Sequence, residues 1–153
     1  MFLTLAASLF LELPYVATSG KKLETIIKLA QIKKNQTIID LGSGDGRLLI
    51  ESAKKGARAI GYEINPFLIL LSKMRASLKG LSDHITVNSQ DLWKADLKVA
   101  DVIIVYALRK SMKKFEDFVT SNAKPGTKII VNTNPFPTKK PQKHENGVFL
   151  YIA

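Results

Sequence analysis

The chain contains no cysteine. That excludes a disulfide scaffold, a thiol nucleophile and a cysteine-ligated zinc site, and it is compatible with a reducing compartment. Histidine is nearly as scarce. His84 and His144 lie far apart in sequence and form no ligand-spaced pair, so no metal site is expected. Residues 1–13 are apolar with a single charge at Glu12, but a spanning helix needs roughly 20 such residues. They also lack the basic start and small-residue cleavage site of a signal peptide. A short helix that packs on a neighbour or touches a membrane is expected there. Internal repeats and low-complexity linkers are absent as well.

What is present bounds the answer further. The 153 residues suffice for one domain spanning 1–153 with a sizeable core, and leave no room for a second. An apolar fraction of 46% argues against disorder. The net charge of +10 and a pI near 9.8 suit nucleic acid, an anionic membrane or an acidic protein. They equally suit a lysine-rich solvated surface, so charge names no substrate.

The chemistry concentrates in residues 37–46. Ile38, Ile39, Asp40 and Leu41 read as the end of a buried parallel strand. Gly42, Ser43, Gly44, Asp45 and Gly46 form a tight turn, and Arg47 to Ala53 has helical character. Glycines there let the backbone approach a ligand closely, and a helix N-terminus offers unpaired N–H groups. A dinucleotide fingerprint would need its third glycine where Arg47 stands, and no Lys-Ser/Thr pair follows to make a P-loop. The next strand, Ala59 to Glu63, ends on a second acid, placed to accept hydrogen bonds from both hydroxyls of a ribose.

An acid two residues before three alternating glycines, directly after a strand, resembles motif I of the class I S-adenosylmethionine (SAM)-dependent methyltransferases. Ser19 or Thr18 caps a helix with Leu23, Ile26, Ile27 and Ala30 on its apolar face. Asn65-Pro66 starts another helix, because proline is tolerated in a first turn. In it Phe67, Leu70, Leu71 and Met74 recur at helical spacing and are expected in the core. Ile85 to Val87 is a short third strand. In class I methyltransferases an acid after this strand bonds the adenine amino group, which makes Asp91 the candidate and Leu92 its neighbour against the ring. Trp93 either anchors this loop or touches the cofactor. Residues 101–106 form a continuously apolar fourth strand suited to the middle of a parallel sheet. Its exit, Ala107-Leu108-Arg109, is where substrate meets the sulfonium in that family. A helix follows with Met112, Phe115, Phe118 and Val119 inward, then strands at 128–132 and 148–152. The prediction is an α/β fold: a doubly wound, Rossmann-like class I methyltransferase sheet, mostly parallel, with an antiparallel last strand and a shortened strand six.

The family resemblance is sharper than motif I alone. Pro14-Tyr15-Val16-Ala17-Thr18, Asp40 to Arg47, Gly61-Tyr62-Glu63-Ile64-Asn65-Pro66, Asp91 to Lys94 and Phe136-Pro137-Thr138 together are similar to the small seven-strand protein-lysine methyltransferases. That group includes archaeal broad-specificity enzymes and mitochondrial enzymes modifying the ATP synthase c-subunit and the adenine nucleotide translocator. The resemblance implies SAM as cofactor, held by Tyr15, Thr18, Asp40, Gly42, Ser43, Gly44, Gly46, Glu63, Ile64, Asp91 and Leu92. It implies methyl transfer to the ε-amino group of protein lysines, with residues 1–18 as an apolar segment and cofactor-covering arm. Because the amine must be neutral to attack, an aromatic slot built from Tyr15, Tyr106 and Phe136 is expected at the reacting centre. A protein presenting a lysine is the expected partner, and nucleic acid is less favoured. The adenine N-methyltransferase pattern Asn/Asp-Pro-Pro-Tyr/Phe is missing after strand four, where the chain reads Tyr106-Ala107-Leu108-Arg109. Alternatives left open are an RNA or small-molecule methyltransferase and a SAM-binding module without catalysis. The expected location is cytoplasmic, with peripheral membrane contact through residues 1–13.

Overall fold

The computed structural model describes residues 17–153. The expectations for residues 1–13 and for Tyr15 lie outside the described residues. Seven strands form one sheet: β1 (Thr37–Leu41), β2 (Arg58–Glu63), β3 (Ile85–Ser89), β4 (Val102–Tyr106), β5 (Lys128–Asn132), β6 (Lys143–Glu145) and β7 (Val148–Ile152). Their order is β3-β2-β1-β4-β5-β7-β6. The five strands from β3 to β5 run parallel, while β7 is antiparallel to both its neighbours. This is the doubly wound sheet predicted, with its antiparallel last strand and a strand six of three residues. Strand order reverses between β1 and β4, and the crevice at such a switch point is where α/β sheets take their ligands.

Four α-helices accompany the sheet among the described residues: α1 (Gly20–Ala30), α2 (Arg47–Lys54), α3 (Pro66–Leu78) and α4 (Met112–Asn122). The central strands are covered on both faces, which explains why most of their residues are apolar. Successive side chains of a strand point to opposite faces. Thus Ile103 and Val105 of β4 join Phe115 and Val119 of α4, whereas Val102 and Ile104 join Ile26 and Leu29 of α1. Helices α2 and α3 lie on the α1 side, where Leu49 and Ile69 pack on Ala59 and Val87.

The helix starts follow their capping chemistry. Ser19 caps α1, its hydroxyl accepting from the Lys22 N–H at 3.3 Å. Asn65 caps α3, its side-chain oxygen accepting from the N–H groups of Phe67 and Leu68, with Pro66 in the first turn. On α4, Met112, Phe115 and Val119 point inward as expected, and Phe118 is half-buried against the same cluster.

Helix α3 departs from expectation. Its buried residues are Leu68, Ile69, Ser72 and Ala76, while Leu71 is half-buried. Phe67, Leu70 and Met74, expected in the core, are 68%, 64% and 54% exposed. The reason is close packing against the glycine turn. A Cβ on Gly46 would stand 2.8 Å from Ser72 Oγ, so this part of the helix must present a small side chain to the loop.

Candidate cofactor site

The candidate site is built where β1, β2, β3 and β4 end. Gly42, Gly44 and Gly46 have φ values of 89°, 55° and 80°. Those left-handed conformations turn the chain sharply from β1 into α2 and are cheap only for glycine. The turn hangs from β2, since the N–H groups of Gly42 and Ser43 both donate to the Tyr62 carbonyl at 2.9 and 3.0 Å. Ser43 supports the loop. Its carbonyl accepts from the Gly46 N–H, and its buried hydroxyl has no hydrogen-bond partner among the described residues. A side chain at Gly61 of β2 would collide with that hydroxyl, so Gly61 is what lets the loop sit on the sheet.

Glu63, at the end of β2, faces the turn. Its Oε2 accepts from the Gly44 N–H, and its Oε1 accepts from the N–H groups of Ile64 and Asn65, each at 2.9 Å. A carboxylate has about four acceptor positions, so Oε2 retains room for a hydroxyl donor. Asp40, one residue before the end of β1, is buried beneath the same loop. Burial first, then the nearby Glu63 and Asp45 carboxylates, push its carboxyl up to about 7.

Asp45 has the opposite electrostatics within the same turn. It is also buried, and burial alone would raise it. Hydrogen bonds from Arg47 and Arg75 outweigh that and hold it at about 2. The ion pairs measure 2.6 Å to Arg47 and 2.8 Å to Arg75. Arg47 also donates to the Thr18 carbonyl at 2.8 Å, so one guanidinium ties the segment before α1 to the glycine turn. Ser72 of α3 donates to the Gly44 carbonyl at 3.0 Å. Arg47, Arg75 and Ser72 did not stand out in the sequence as site residues. The available signal was a cation at the first position of a helix, where the macrodipole disfavours it unless an acid compensates.

Asp91 is exposed after β3, with Oδ1 accepting from the Trp93 N–H at 3.1 Å. Leu92 is buried in the core cluster beside it. Trp93 packs on Phe115 and Phe118 with ring centroids at 4.5 and 5.2 Å, and the Lys114 ammonium lies 4.2 Å from its ring centre. It anchors the loop to α4. Ile64, following Glu63, is 40% exposed.

At the β4 end, Tyr106 is half-buried beside Asn132 of β5. Asn134 donates from its side-chain amide to the Ala107 carbonyl at 2.9 Å, joining the exits of the two strands. Phe136 is buried instead of lining an open slot. Its ring packs on Tyr151 at 4.6 Å, and its N–H donates to the Tyr151 hydroxyl at 3.0 Å. The loop beyond it is fixed by the buried carboxylate of Glu116, whose Oε1 accepts from the N–H groups of Thr138 and Lys139. The structure thus gathers Asp40, Gly42, Ser43, Gly44, Gly46 and Glu63 into one turn region. Asp91 and Tyr106 stand at the ends of flanking strands, and Thr18 is tied in through Arg47.

Residues 40–143 match the family model of the ANTKMT methyltransferase domain. The chain belongs to that family. Within the ANTKMT methyltransferase family the match begins at Asp40 and so takes in the glycine turn, Glu63, Asp91 and the β4 exit. The adenine nucleotide translocase lysine N-methyltransferase of Mus musculus is 31% identical over 132 residues, covering 86% of this chain and 57% of that protein. The chain therefore spans little more than half the length of that relative. The protein-lysine N-methyltransferase of Saccharolobus islandicus is 26% identical over 151 residues, covering 92% of this chain and 94% of that one. A crystal structure of an RNA methyltransferase from Salinibacter ruber in complex with S-adenosyl-L-homocysteine superposes with a TM-score of 0.85 at 28% identity. That match covers 90% of this chain and 93% of the other. The class I methyltransferase architecture is thereby established.

Proposed function

We propose that the chain is a SAM-dependent methyltransferase that modifies lysine ε-amino groups of proteins. The observation that carries this reading is the glycine turn clamped to Glu63 at 2.9 Å over the buried Asp40. The residues present fit the cofactor. Glu63 Oε2 and Asp91 are acceptors for ribose hydroxyls and an adenine amine, Ile64 is an apolar surface for the ring, and Asp40 is a desolvated acid suited to a cationic ligand. Bound SAM supplies an electrophilic methyl group. The chain's own part is to position the acceptor in line and exclude water. Among the described residues, Tyr106, half-buried at the β4 exit, is an aromatic residue placed to favour a neutral amine, while Phe136 is buried against Tyr151.

Lysine as acceptor is supported by the names of the relatives, including one of nearly equal length in Saccharolobus islandicus. A second reading, RNA methylation, is favoured by the full-length likeness to the Salinibacter ruber RNA methyltransferase and by the net charge of +10. Incubation of the protein with methyl-labelled SAM and a cell lysate separates the two. Mass spectrometry of labelled bands is expected to find methylated lysines. Label confined to RNA would replace the first reading by the second, and measurable SAM binding without any label would indicate a binding module.

A further inference from the structure

Helix α3 is apolar on the side that faces solvent. Phe67, Leu70, Met74 and Leu78 recur at spacings of 3, 4 and 4 residues and are 68%, 64%, 54% and 82% exposed. Such spacings align side chains on one face of a helix, opposite the buried row Leu68, Ile69, Ser72 and Ala76. Ile64, just before the helix, extends the stripe toward Glu63. Scattered exposed apolar residues are ordinary, but here four large ones lie in a single row on one helix face. A helix apolar on both sides leaves one side wanting a partner.

Charge and area decide which partner. From Ile64 to Ser82 the chain carries Lys73, Arg75 and Lys79 and no acid. Arg75 is engaged with Asp45, but Lys73 and Lys79 are exposed. A helix of 13 residues is about 20 Å long, so its outer strip covers on the order of 200 Å². That is far below the roughly 800 Å² per partner of a stable protein interface. A second copy would also bring its own Lys73 and Lys79 toward this face, with no acid on α3 to pair them. An anionic lipid surface has neither difficulty, because it complements the lysines and accepts a narrow apolar strip lying flat at the headgroup level. We propose that α3 docks the protein on anionic membranes, with Phe67, Leu70, Met74 and Leu78 inserted and Lys73 and Lys79 on the headgroups. The turn carrying Glu63 and Ile64 then borders the membrane-facing surface. The proposal goes beyond the methylation reading and does not depend on it.

Flotation of the full chain with vesicles of phosphatidylcholine, with and without phosphatidylserine, tests it. Wild type is expected to float with the phosphatidylserine vesicles and stay behind with phosphatidylcholine alone. The variant Phe67→Ser/Leu70→Gln/Met74→Gln/Leu78→Gln is expected to partition at least about tenfold more weakly, since four exposed apolar side chains are no longer offered to the lipid. Lys73→Glu/Lys79→Glu, which leaves the stripe intact, is expected to weaken binding by roughly fivefold or more per lysine. Unchanged thermal unfolding shows that each variant is folded. Binding undiminished in both variants would overturn the proposal and move any membrane contact to residues 1–13, which both retain. A wild-type dimer in light scattering that the stripe variant lacks would overturn it in favour of a second copy, and failure of folded wild type to bind either vesicle would overturn it outright.

Discussion

Helices α3 and α4 put their large apolar residues to opposite uses. In α4 the large residues Met112, Phe115 and Val119 all enter the core, and the exposed side carries Lys113, Lys114 and Asp117. In α3 the buried side includes Ser72 and Ala76, while Phe67, Leu70, Met74 and Leu78 face outward. The difference lies in what each helix packs against. Helix α4 meets the smooth face of the sheet, where bulk is wanted. Part of α3 meets the glycine turn, where Ser72 must approach Gly46 closely and hydrogen-bond the Gly44 carbonyl. Helical period reveals that faces exist, but neighbours decide which one is inside.

The contrast is open to measurement, beginning with the largest effect. Phe115→Ala on α4 removes a fully buried ring and is expected to cost about 3–5 kcal/mol in urea unfolding. A loss below about 1 kcal/mol would mean that α4 is not seated as described. Gly46→Ala comes next. It forces a side chain to φ 80° and places a Cβ 2.9 Å from Ser72 Cβ, so a loss of about 2–4 kcal/mol is expected from backbone strain and crowding together. Measured against Ser72→Gly alone, which already lacks the hydrogen bond to Gly44 and places a glycine in the helix, Gly46→Ala should cost less by the crowding part, and an equal cost in both backgrounds would break the account of why α3 is small on its inner side.

A subtler test lies in the two acids of the turn to which α3 is fitted. Asp40 ionises at about 7 in the fold, against an ordinary value of 3.8. Its contribution to stability is therefore present in full below 3.8 and is lost as pH rises through about 7. Asp45 at about 2 behaves inversely, contributing above 3.8 and losing its contribution as pH falls through about 2. Asp40→Asn should accordingly reduce the fall in thermal stability between pH 5 and pH 8, values on either side of that ionisation. Binding of a cationic cofactor should favour the ionised acid, release a proton and tighten by up to about tenfold per pH unit below 7. Calorimetry in buffers of different ionisation enthalpy reads that proton, and equal binding enthalpies across buffers would remove Asp40 from the cofactor's surroundings. The smallest effect is on the outer face of α3, where Phe67→Ser should leave unfolding within about 0.5 kcal/mol of wild type. A loss comparable to that of Phe115→Ala would show that the ring is covered in solution.

Most of the sheet was legible in the sequence because its signals are local. The apolar residues before the glycine turn marked β1 and a continuous apolar run marked β4, Asn65-Pro66 marked the start of α3, and the glycine turn marked the crossing from β1 to α2. The bounds of β5 and β7 coincide with those expected. The glycine turn and the acids gathered around it were legible for the same reason. What escaped was relational. Nothing local tells that Arg47 reaches back to Thr18, that Arg75 crosses to Asp45, or that Phe136 turns inward onto Tyr151. Each depends on a neighbour at least 15 residues away along the chain. The hairpin joining β6 and β7 did carry a local sign, Asn146-Gly147, whose φ values of 49° and 71° are those of a two-residue turn.

That hairpin has a consequence for how the protein behaves when concentrated. A sheet's outermost strand offers unpaired amides and carbonyls to any passing chain, and long apolar edges invite fibrous stacking. At the antiparallel end of the sheet that edge is β6, three residues long, and Lys143, His144 and Glu145 are all exposed. Pro141 lies just before it. An incoming strand would find little length to zip along and charges to desolvate. The antiparallel end of the sheet thus acts as a stop against runaway self-assembly.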